Sequence, residues 1–253
     1  MKFNKIKRVL KNPDAIKKFI QTRNKGEVQK IVQINEYRKK MFNACELSDK
    51  LLNQKHSIPE IIEFVSKDIG ITKYPIAWYC LVRTYKPKII VETGTSMGWS
   101  SYMILSGISR NQTGHLYSFD LNDSENVKNY GGVGYLVTEK LKVNWTLTIG
   151  DSKENLEPTL KKLTQIDMFI HDSEHSYEMM MYEYSTAWNY LKKDGILGSD
   201  DINHSDAFKE FTENYSDDIY DLIKFKEISR NTDSEFKRPT VGYFFKKFNS
   251  YNL

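Results

Sequence analysis

The sequence predicts an α/β protein with a seven-stranded, mostly parallel sheet that ends in an antiparallel C-terminal hairpin, plus an N-terminal helical segment. From Lys88 onward, apolar runs alternate with helical stretches through short connections, which is typical of a parallel sheet covered on both faces. The last two apolar runs follow each other with no convincing helix between them, which predicts the closing hairpin. The predicted strands are residues 88–92, 115–120, 145–149, 167–171, 195–200, 219–226 and 240–246.

The predicted helices fall between these strands, at residues 98–109, 135–142, 152–163, 176–191 and 204–215. After the second strand, residues 121–134 are polar and rich in glycine. This segment is either a plain surface loop or a lid over a ligand, and the sequence leaves both open.

Residues 1–75 are predicted to form a basic helical extension that covers a substrate or mediates an interaction, and residues 76–253 the sheet domain. Residues 1–40 hold 13 Lys or Arg and 3 Asp or Glu, whereas the rest of the chain holds 24 and 30. We interpret this basic arm first as a solvated helical face. Contact with an anionic membrane surface, an acidic glycan or RNA stays open.

The composition is ordinary, with 40% hydrophobic and 28% charged residues. No apolar run approaches the ~20 residues that a membrane-spanning helix needs. The N-terminus lacks the apolar stretch of a signal peptide, so we expect a cytoplasmic protein. Cys45 and Cys80 have neither metal-binding nor redox spacing and are predicted to be reduced.

The most informative stretch is residues 88–98, KIIVETGTSMG. An apolar strand ends in Glu92, a turn containing Gly94 follows, and a helix opens directly behind it. Glycine allows close backbone approach, and the N–H groups of a helix N-terminus suit a polar ligand. A second strand ends in Asp120, where a carboxylate can bind a ribose diol. The pair of acids predicts a nucleotide site, although a tight turn without a ligand explains a single glycine match equally well.

The densest polar cluster is residues 169–178, FIHDSEHSYE. Residues 171–175 match H-x-x-E-H, a motif that binds zinc when both histidines share one helix face. Here an apolar strand runs into His171, so the five residues should turn, which argues against zinc. Asp200 and Asp201 end the neighbouring strand beside Asp172. Three converging carboxylates repel one another unless a hard cation such as Mg²⁺ lies among them.

These segments resemble a known enzyme family. Residues 92–98 and Asp120 resemble motifs I and II of class I methyltransferases that use S-adenosylmethionine (SAM) and have a Rossmann-like sheet, with Ser96 in place of a usual glycine. Residues 172–178 (DSEHSYE) and 191–201 (LKKDGILGSDD) resemble the Methyltransf_24 family and the metal-dependent O-methyltransferases of catechols and macrolide sugars. The resemblance covers roughly residues 75–245.

The resemblance implies roles for individual residues. His175 takes the place of a proposed base, with a purely structural role equally open, and Asp172 is the second predicted catalytic residue. The implied metal ligands are Asp172, Asp200 and Asp201. Asp151 either accepts a hydrogen bond from the adenine amino group or caps the following helix. The residues expected at the cofactor are Glu92, Gly94, Thr95, Ser96, Ser100, Asp120, Leu121, Asp151, Ser152 and His171.

Other polar residues near the cluster are weaker candidates. Asn203 and His204 would complete the acceptor side, and Glu183 is predicted to be solvated or at the edge of the pocket. The expected function is SAM-dependent methylation of a hydroxyl on a small molecule or glycan, assisted by Mg²⁺. A nucleic-acid methyltransferase using the basic arm, which is disfavoured, and a SAM-binding protein without catalysis remain the alternatives. A homodimer is left open.

Overall fold

The computed structural model describes residues 25–122, 124–227 and 240–247. Within these ranges one sheet of seven strands has the order β3-β2-β1-β4-β5-β7-β6. The predicted fold class is therefore confirmed. The strands are β1 (Ile89–Thr93), β2 (His115–Asp120), β3 (Trp145–Ile149), β4 (Ile166–His171), β5 (Leu191–Ser199), β6 (Ile219–Phe225) and β7 (Val241–Lys246).

The strand directions place the ends of three central strands at one edge of the sheet. β1 to β5 pair in parallel, whereas β7 pairs antiparallel with both β5 and β6. Every residue of β4 is buried, as expected for a central strand covered on both faces. His171 pairs with Ser199 of β5 and with Thr93 of β1. The residues that follow β1, β4 and β5 therefore lie side by side.

The helices confirm the predicted alternation. In the described residues they are α1 (Lys25–Asn53), α2 (Ile58–Ile69), α3 (Lys73–Tyr85), α4 (Trp99–Asn111), α5 (Glu125–Tyr130), α6 (Ser152–Leu163), α7 (Tyr177–Trp188) and α8 (Ala207–Asn214). Among the described residues, no helix combines the length and the apolarity that crossing a membrane requires.

The chain divides into two compact units, Met1–Lys40 and Met41–Leu253. In the first unit the described residues, from 25 onward, are helical, and most of the basic arm lies outside the described residues. The predicted boundary at residue 75 falls inside α3, which belongs to the second unit. The assignment of residues 1–75 to a separate function stays a prediction.

Helix α3 is buried on almost every side, which explains why it lies in the same unit as the sheet. Its N-terminal N–H groups donate to the Glu227 carboxylate, from Lys73 at 2.7 Å and from Tyr74 at 2.6 Å. A carboxylate at the N-terminus of a helix accepts from otherwise unpaired N–H groups and interacts favourably with the positive end of the helix dipole. Lys73, 1% exposed, is neutralised by Glu63 at 2.7 Å.

Two elements between β2 and β3 differ from the prediction. The helix predicted at 135–142 is absent, because the N–H of Gly134 donates to the Ser96 carbonyl and that of Leu136 to the Met97 carbonyl. These bonds hold the segment against the turn after β1 in a non-helical path. Instead, α5 forms inside the segment predicted to be a loop. Ser124 caps its N-terminus by accepting from the N–H of Val127 at 3.4 Å.

Candidate active site

The turn after β1 and the end of β4 touch each other at the carboxyl edge of the sheet. Gly94 has φ of +81°, and a β-carbon placed on it would lie 1.7 Å from the Asp172 carbonyl oxygen. The N–H of Asp172 donates to the Thr93 carbonyl at 2.9 Å. Only glycine fits both the backbone conformation and the close approach. Gly94 therefore lets the two strand ends share one surface.

A cavity of about 330 Å³ opens on this surface. Leu121 contributes a side chain that is 55% exposed, which offers an apolar surface to a flat ring. Asp151 also caps α6, accepting from the N–H of Lys153 at 2.9 Å. The predicted site residues that line the cavity are Gly94, Ser96, Asp120, Leu121, Asp151, Ser152 and Asp172.

Asp120 holds the turn after β1 with its carboxylate. Its Oδ2 accepts from the N–H groups of Thr95 at 3.0 Å and Ser96 at 2.7 Å, and its Oδ1 accepts from the N–H of Asn122 at 2.7 Å. Ser96 has φ of +46°, the left-handed conformation that a glycine at this position adopts more easily. The serine therefore keeps the backbone geometry of the turn.

Four residues predicted at the cofactor do not line this cavity: Glu92, Thr95, Ser100 and His171, all buried. Glu92 accepts from the hydroxyls of Ser101 at 2.6 Å and Ser118 at 2.8 Å, and burial raises the pKa of its carboxyl group. The placement of Glu92 ties β1 to α4 and β2. Glu92 therefore affects the cavity indirectly, because it fixes the position of β1.

Glu183 on α7 is the important residue that the sequence prediction placed wrongly. It is 0% exposed, not solvated or at a pocket edge. Oε2 lies 2.6 Å from His171 Nδ1 and accepts from the Thr93 hydroxyl at 2.5 Å. Oε1 accepts from the hydroxyls of Ser152 at 2.6 Å and Ser173 at 2.9 Å. One carboxylate thus joins β1, β4, α6 and α7 beneath the cavity.

Hydrogen bonds determine the pKa of the buried Glu183 carboxyl group, and the sequence contained a sign of its burial. Burial alone would raise the pKa of its carboxyl group, but the hydrogen bonds from His171, Ser152 and Thr93 hold that pKa below its usual value. Glu183 occupies the apolar face of α7, at helical spacing with buried neighbours. That spacing was a readable signal of burial. The buried residues of α7 are Met179, Met180, Glu183, Tyr184, Ala187 and Trp188.

His175 lies between this buried network and the loop after β5. Its Nε2 is 3.4 Å from Asp201 Oδ2, and its ring centroid is 5.4 Å from that of His171 and 5.8 Å from that of His204. Burial and then the neighbouring His171 lower the pKa of His175 to about 4, which leaves the imidazole neutral near pH 7. Among the described residues its buried Nδ1 has no hydrogen-bond partner.

A second cavity, of about 400 Å³, lies in the region of the β5–α8 loop. The N–H of His204 donates to the Asp201 carbonyl at 2.9 Å, so a tight turn brings the imidazole of His204 back toward His175. Asn203 and His204, the residues predicted for the acceptor side, line this second cavity. His175 is therefore flanked by the segment Asp172–Glu174, which lines the first cavity, and by His204, which lines the second.

The geometry agrees with the comparisons to known proteins. Residues 91–202 match the family described as "Methyltransferase domain". These residues are therefore assigned to a methyltransferase domain. No curated protein sequence matches the chain.

Solved structures with the same type of fold align with the methyltransferase domain. The O-methyltransferase from Bacillus cereus in complex with SAH has a TM-score of 0.50 at 11% identity, covering 83% of this chain and 91% of that one. The O-methyltransferase TomG from Streptomyces achromogenes has 0.48 at 15%, covering 68% and 78%. MycE of the mycinamycin pathway, with Mg, SAH and mycinamycin VI, has 0.47 at 15%, covering 68% and 49%. At these identities the likeness concerns the fold alone.

The three aspartates predicted to bind Mg²⁺ do not form such a site in the methyltransferase domain. Asp172 and Asp200 follow adjacent strands and lie side by side, as predicted, because the N–H of Asp200 donates to the His171 carbonyl at 3.0 Å. Asp201, however, has φ of +47° and its carboxylate faces His175. Within the described residues no group of three or more His, Cys, Asp or Glu is arranged to hold a metal ion. The side chains as placed do not fit the ion.

The H-x-x-E-H match in the methyltransferase domain is not a zinc motif. His171 ends β4, and the following residues turn before α7 begins at Tyr177, as predicted. The rings of His171 and His175 meet edge to face, and Nδ1 of His171 is already bound to Glu183. The two histidines therefore do not share the helix face that zinc binding needs.

Proposed function

We propose that this protein transfers the methyl group of SAM to a hydroxyl oxygen of a small-molecule or saccharide-like acceptor. The observation that carries the proposal is the position of His175, between a segment lining the first cavity and a histidine lining the second. Methyl transfer to an oxygen needs a proton acceptor where donor and acceptor meet. The activity named for the Bacillus cereus O-methyltransferase agrees with this choice.

SAM would occupy the 330 Å³ cavity. Asp120 would accept a hydrogen bond from the ribose, and Leu121 would contact the adenine ring while Asp151 accepts from its amino group. The turn at Gly94 and Ser96 would approach the methionine end of the cofactor. The buried Glu183 would stabilise this arrangement, because it accepts from the hydroxyls of Ser152 and Ser173 and so orients these two residues of the cavity wall.

The chemistry assigned to the chain's own residues is a proton transfer. The acceptor hydroxyl gives its proton to the neutral imidazole of His175 while its oxygen bonds to the methyl carbon. Bound SAM would supply the methyl group and leave as neutral SAH, with the electron pair of the carbon–sulfur bond kept by sulfur. The Asp201 carboxylate, 3.4 Å from Nε2, stabilises the imidazolium that forms. No step of this mechanism is assigned to magnesium, because the three aspartates do not form a ligand group among the described residues.

The first experiment measures SAM binding by isothermal titration and SAH formation with a panel of hydroxyl compounds. The panel contains catechol, D-glucose, D-glucose 6-phosphate, D-glucuronate and mixed RNA. We expect micromolar SAM affinity and SAH formation with a hydroxyl compound. Absence of SAM binding would overturn the proposal, and SAH formation with RNA alone would favour the nucleic-acid alternative.

The base is tested with two histidine variants. His175→Gln is expected to bind SAM as the wild type does and to form no SAH above background. His56→Gln is the matched control, because His56 is exposed between α1 and α2. Equal turnover in the wild type and His175→Gln would remove His175 from the mechanism.

A further inference from the structure

The second cavity combines an apolar floor with basic side chains from two separate elements. Ile202 and Phe208 are buried beneath it, and Lys209 of α8 and Lys224 of β6 stand on its wall. Asn203 and Ser205 add an amide and a hydroxyl. Cavities of this composition, apolar below with a few polar groups above, are typical of sites for small molecules.

The floor depends on a glycine in the neighbouring strand. A β-carbon on Gly242 of β7 would lie 2.8 Å from Phe208 Cζ and 3.2 Å from Ile202 Cδ1. Gly242 pairs with Lys224 of β6 in the sheet. The missing side chain at residue 242 therefore lets the Phe208 ring lie against the sheet below Lys224, whose Nζ is 5.6 Å from the ring centroid.

The side chains that line this cavity carry a net positive charge. Lys209 and Lys224 are both exposed, and neither forms an ion pair with any residue that the structure describes. Asp206 is the single acidic residue among those lining the cavity, against the two lysines. A pair of ammonium groups above an apolar floor favours an anion.

We propose that the second cavity binds the anionic group, phosphate or carboxylate, of the methyl acceptor. This inference rests on the proposed function. The anion contacts Lys209 and Lys224, Asn203 and Ser205 hydrogen-bond the body of the acceptor, and a hydroxyl of the same molecule reaches His175 past His204. The substrate class is thus a hydroxylated anionic compound, such as a sugar phosphate or a uronic acid, in preference to a neutral sugar or a neutral catechol.

The test uses protein saturated with SAH and three matched probes: D-glucose, D-glucose 6-phosphate and D-glucuronate. Binding is measured by isothermal titration to the wild type, to Lys209→Ala/Lys224→Ala and to Lys161→Ala/Lys162→Ala. The last variant is the charge-matched control, because Lys161 and Lys162 are exposed at the end of α6 and line neither cavity. Circular dichroism confirms that both variants fold, as expected for exposed lysines.

We expect at least one anionic probe to bind the wild type and the α6 variant alike, more tightly than glucose. The Lys209/Lys224 variant should weaken that binding by about tenfold or more. Which anionic probe binds separates phosphate from carboxylate. The inference is wrong if neither anion binds, if glucose binds equally well, or if both lysine pairs give the same loss. A SAM titration of the same preparation, made before SAH is added, separates this failure from that of the proposed function. If SAM binds and the anions do not, only the present inference is wrong.

Discussion

Glu183 and His171 form a fully buried pair, with Oε2 of the carboxylate 2.6 Å from Nδ1 of the imidazole. His171 in turn meets His175 edge to face at 5.4 Å between ring centroids. The pair therefore joins the floor of the first cavity to the proposed base. Because neither residue is solvated, loss of one partner leaves the other with an unmet hydrogen bond in the interior.

Glu183→Gln tests this positioning role. The amide keeps the volume but replaces one acceptor oxygen with a donor. Each oxygen of the carboxylate makes two of the four contacts, so two contacts lose their acceptor. We expect the free energy of unfolding to fall by about 1–3 kcal/mol, SAM affinity to weaken and kcat to fall. Urea unfolding, SAM titration and SAH formation measure the three effects. Glu178→Gln, on the exposed face of the same helix, is the control. Unchanged SAM affinity and kcat in a less stable protein would reduce Glu183 to a structural role.

Glu183 also predicts how stability depends on pH. Its pKa in the folded protein lies below the ordinary value of 4.5, so the carboxylate stabilises the fold above that pH. The contribution is lost as pH falls below 4.5 and through the folded pKa. Urea unfolding between about pH 3 and pH 6 should show a steeper loss in the wild type than in Glu183→Gln. Parallel curves for the two proteins would contradict this assignment.

Gly94→Ala separates steric overlap from backbone strain. Gly94 and Gly132 both have positive φ, +81° and +94°, but a β-carbon at Gly132 meets nothing within 4 Å. Both alanine variants should lose about 1–2 kcal/mol of stability from the left-handed conformation. Only Gly94→Ala should also weaken SAM binding, because it pushes the turn away from Asp172. Equal SAM affinities in the two variants would mean that the contact does not shape the cavity.

Asp201→Asn tests the partner of the proposed base. The amide cannot stabilise an imidazolium as a carboxylate does, so kcat should fall about 10–100-fold while SAM affinity stays unchanged. Asp217→Asn, at an exposed position, is the control. If kcat with an accepted hydroxyl compound is the same in both variants, the 3.4 Å contact has no catalytic role.

Chelation tests the magnesium prediction. Since the described carboxylates do not form a ligand group, treatment with EDTA should change the rate of SAH formation by less than about twofold. A loss on chelation that Mg²⁺ restores, and that Asp172→Ala removes, would instead establish the aspartate site predicted from the sequence.

The sheet was predictable because its signals are local. Apolar runs, Gly94 and the acids at strand ends each mark an element, and parallel pairing then places Asp172 beside Asp200 along the backbone. The features that the sequence did not reveal depend on conformation within loops. A left-handed Asp201 aims its carboxylate at His175, and strand spacing carries no information about that φ angle. The helix predicted at 135–142 is absent for a similar reason, because the N–H groups of Gly134 and Leu136 donate to the Ser96 and Met97 carbonyls in the turn after β1.

Glu183 shows the opposite case. Its helical spacing indicated burial, but the charge of its side chain was given more weight. Its charge suggested solvent, whereas its spacing on α7 placed it among buried methionines and Tyr184. A charged residue on an apolar helix face needs partners, and the hydroxyls and imidazole that supply them come from three other elements. Only the tertiary structure brings those groups together.

The three backbone hydrogen bonds to Asp120 have a thermodynamic consequence for ligand affinity. They fix the orientation of the carboxylate from within the domain and leave a lone pair on Oδ1, which the proposed function assigns to one ribose hydroxyl. A preorganised acceptor loses little conformational entropy on binding. The loop order and the cofactor affinity are consequently linked. Under the proposed function, a change that loosens Thr95 or Ser96 weakens cofactor binding without contacting the cofactor, and a bound cofactor in turn stabilises the loop against unfolding.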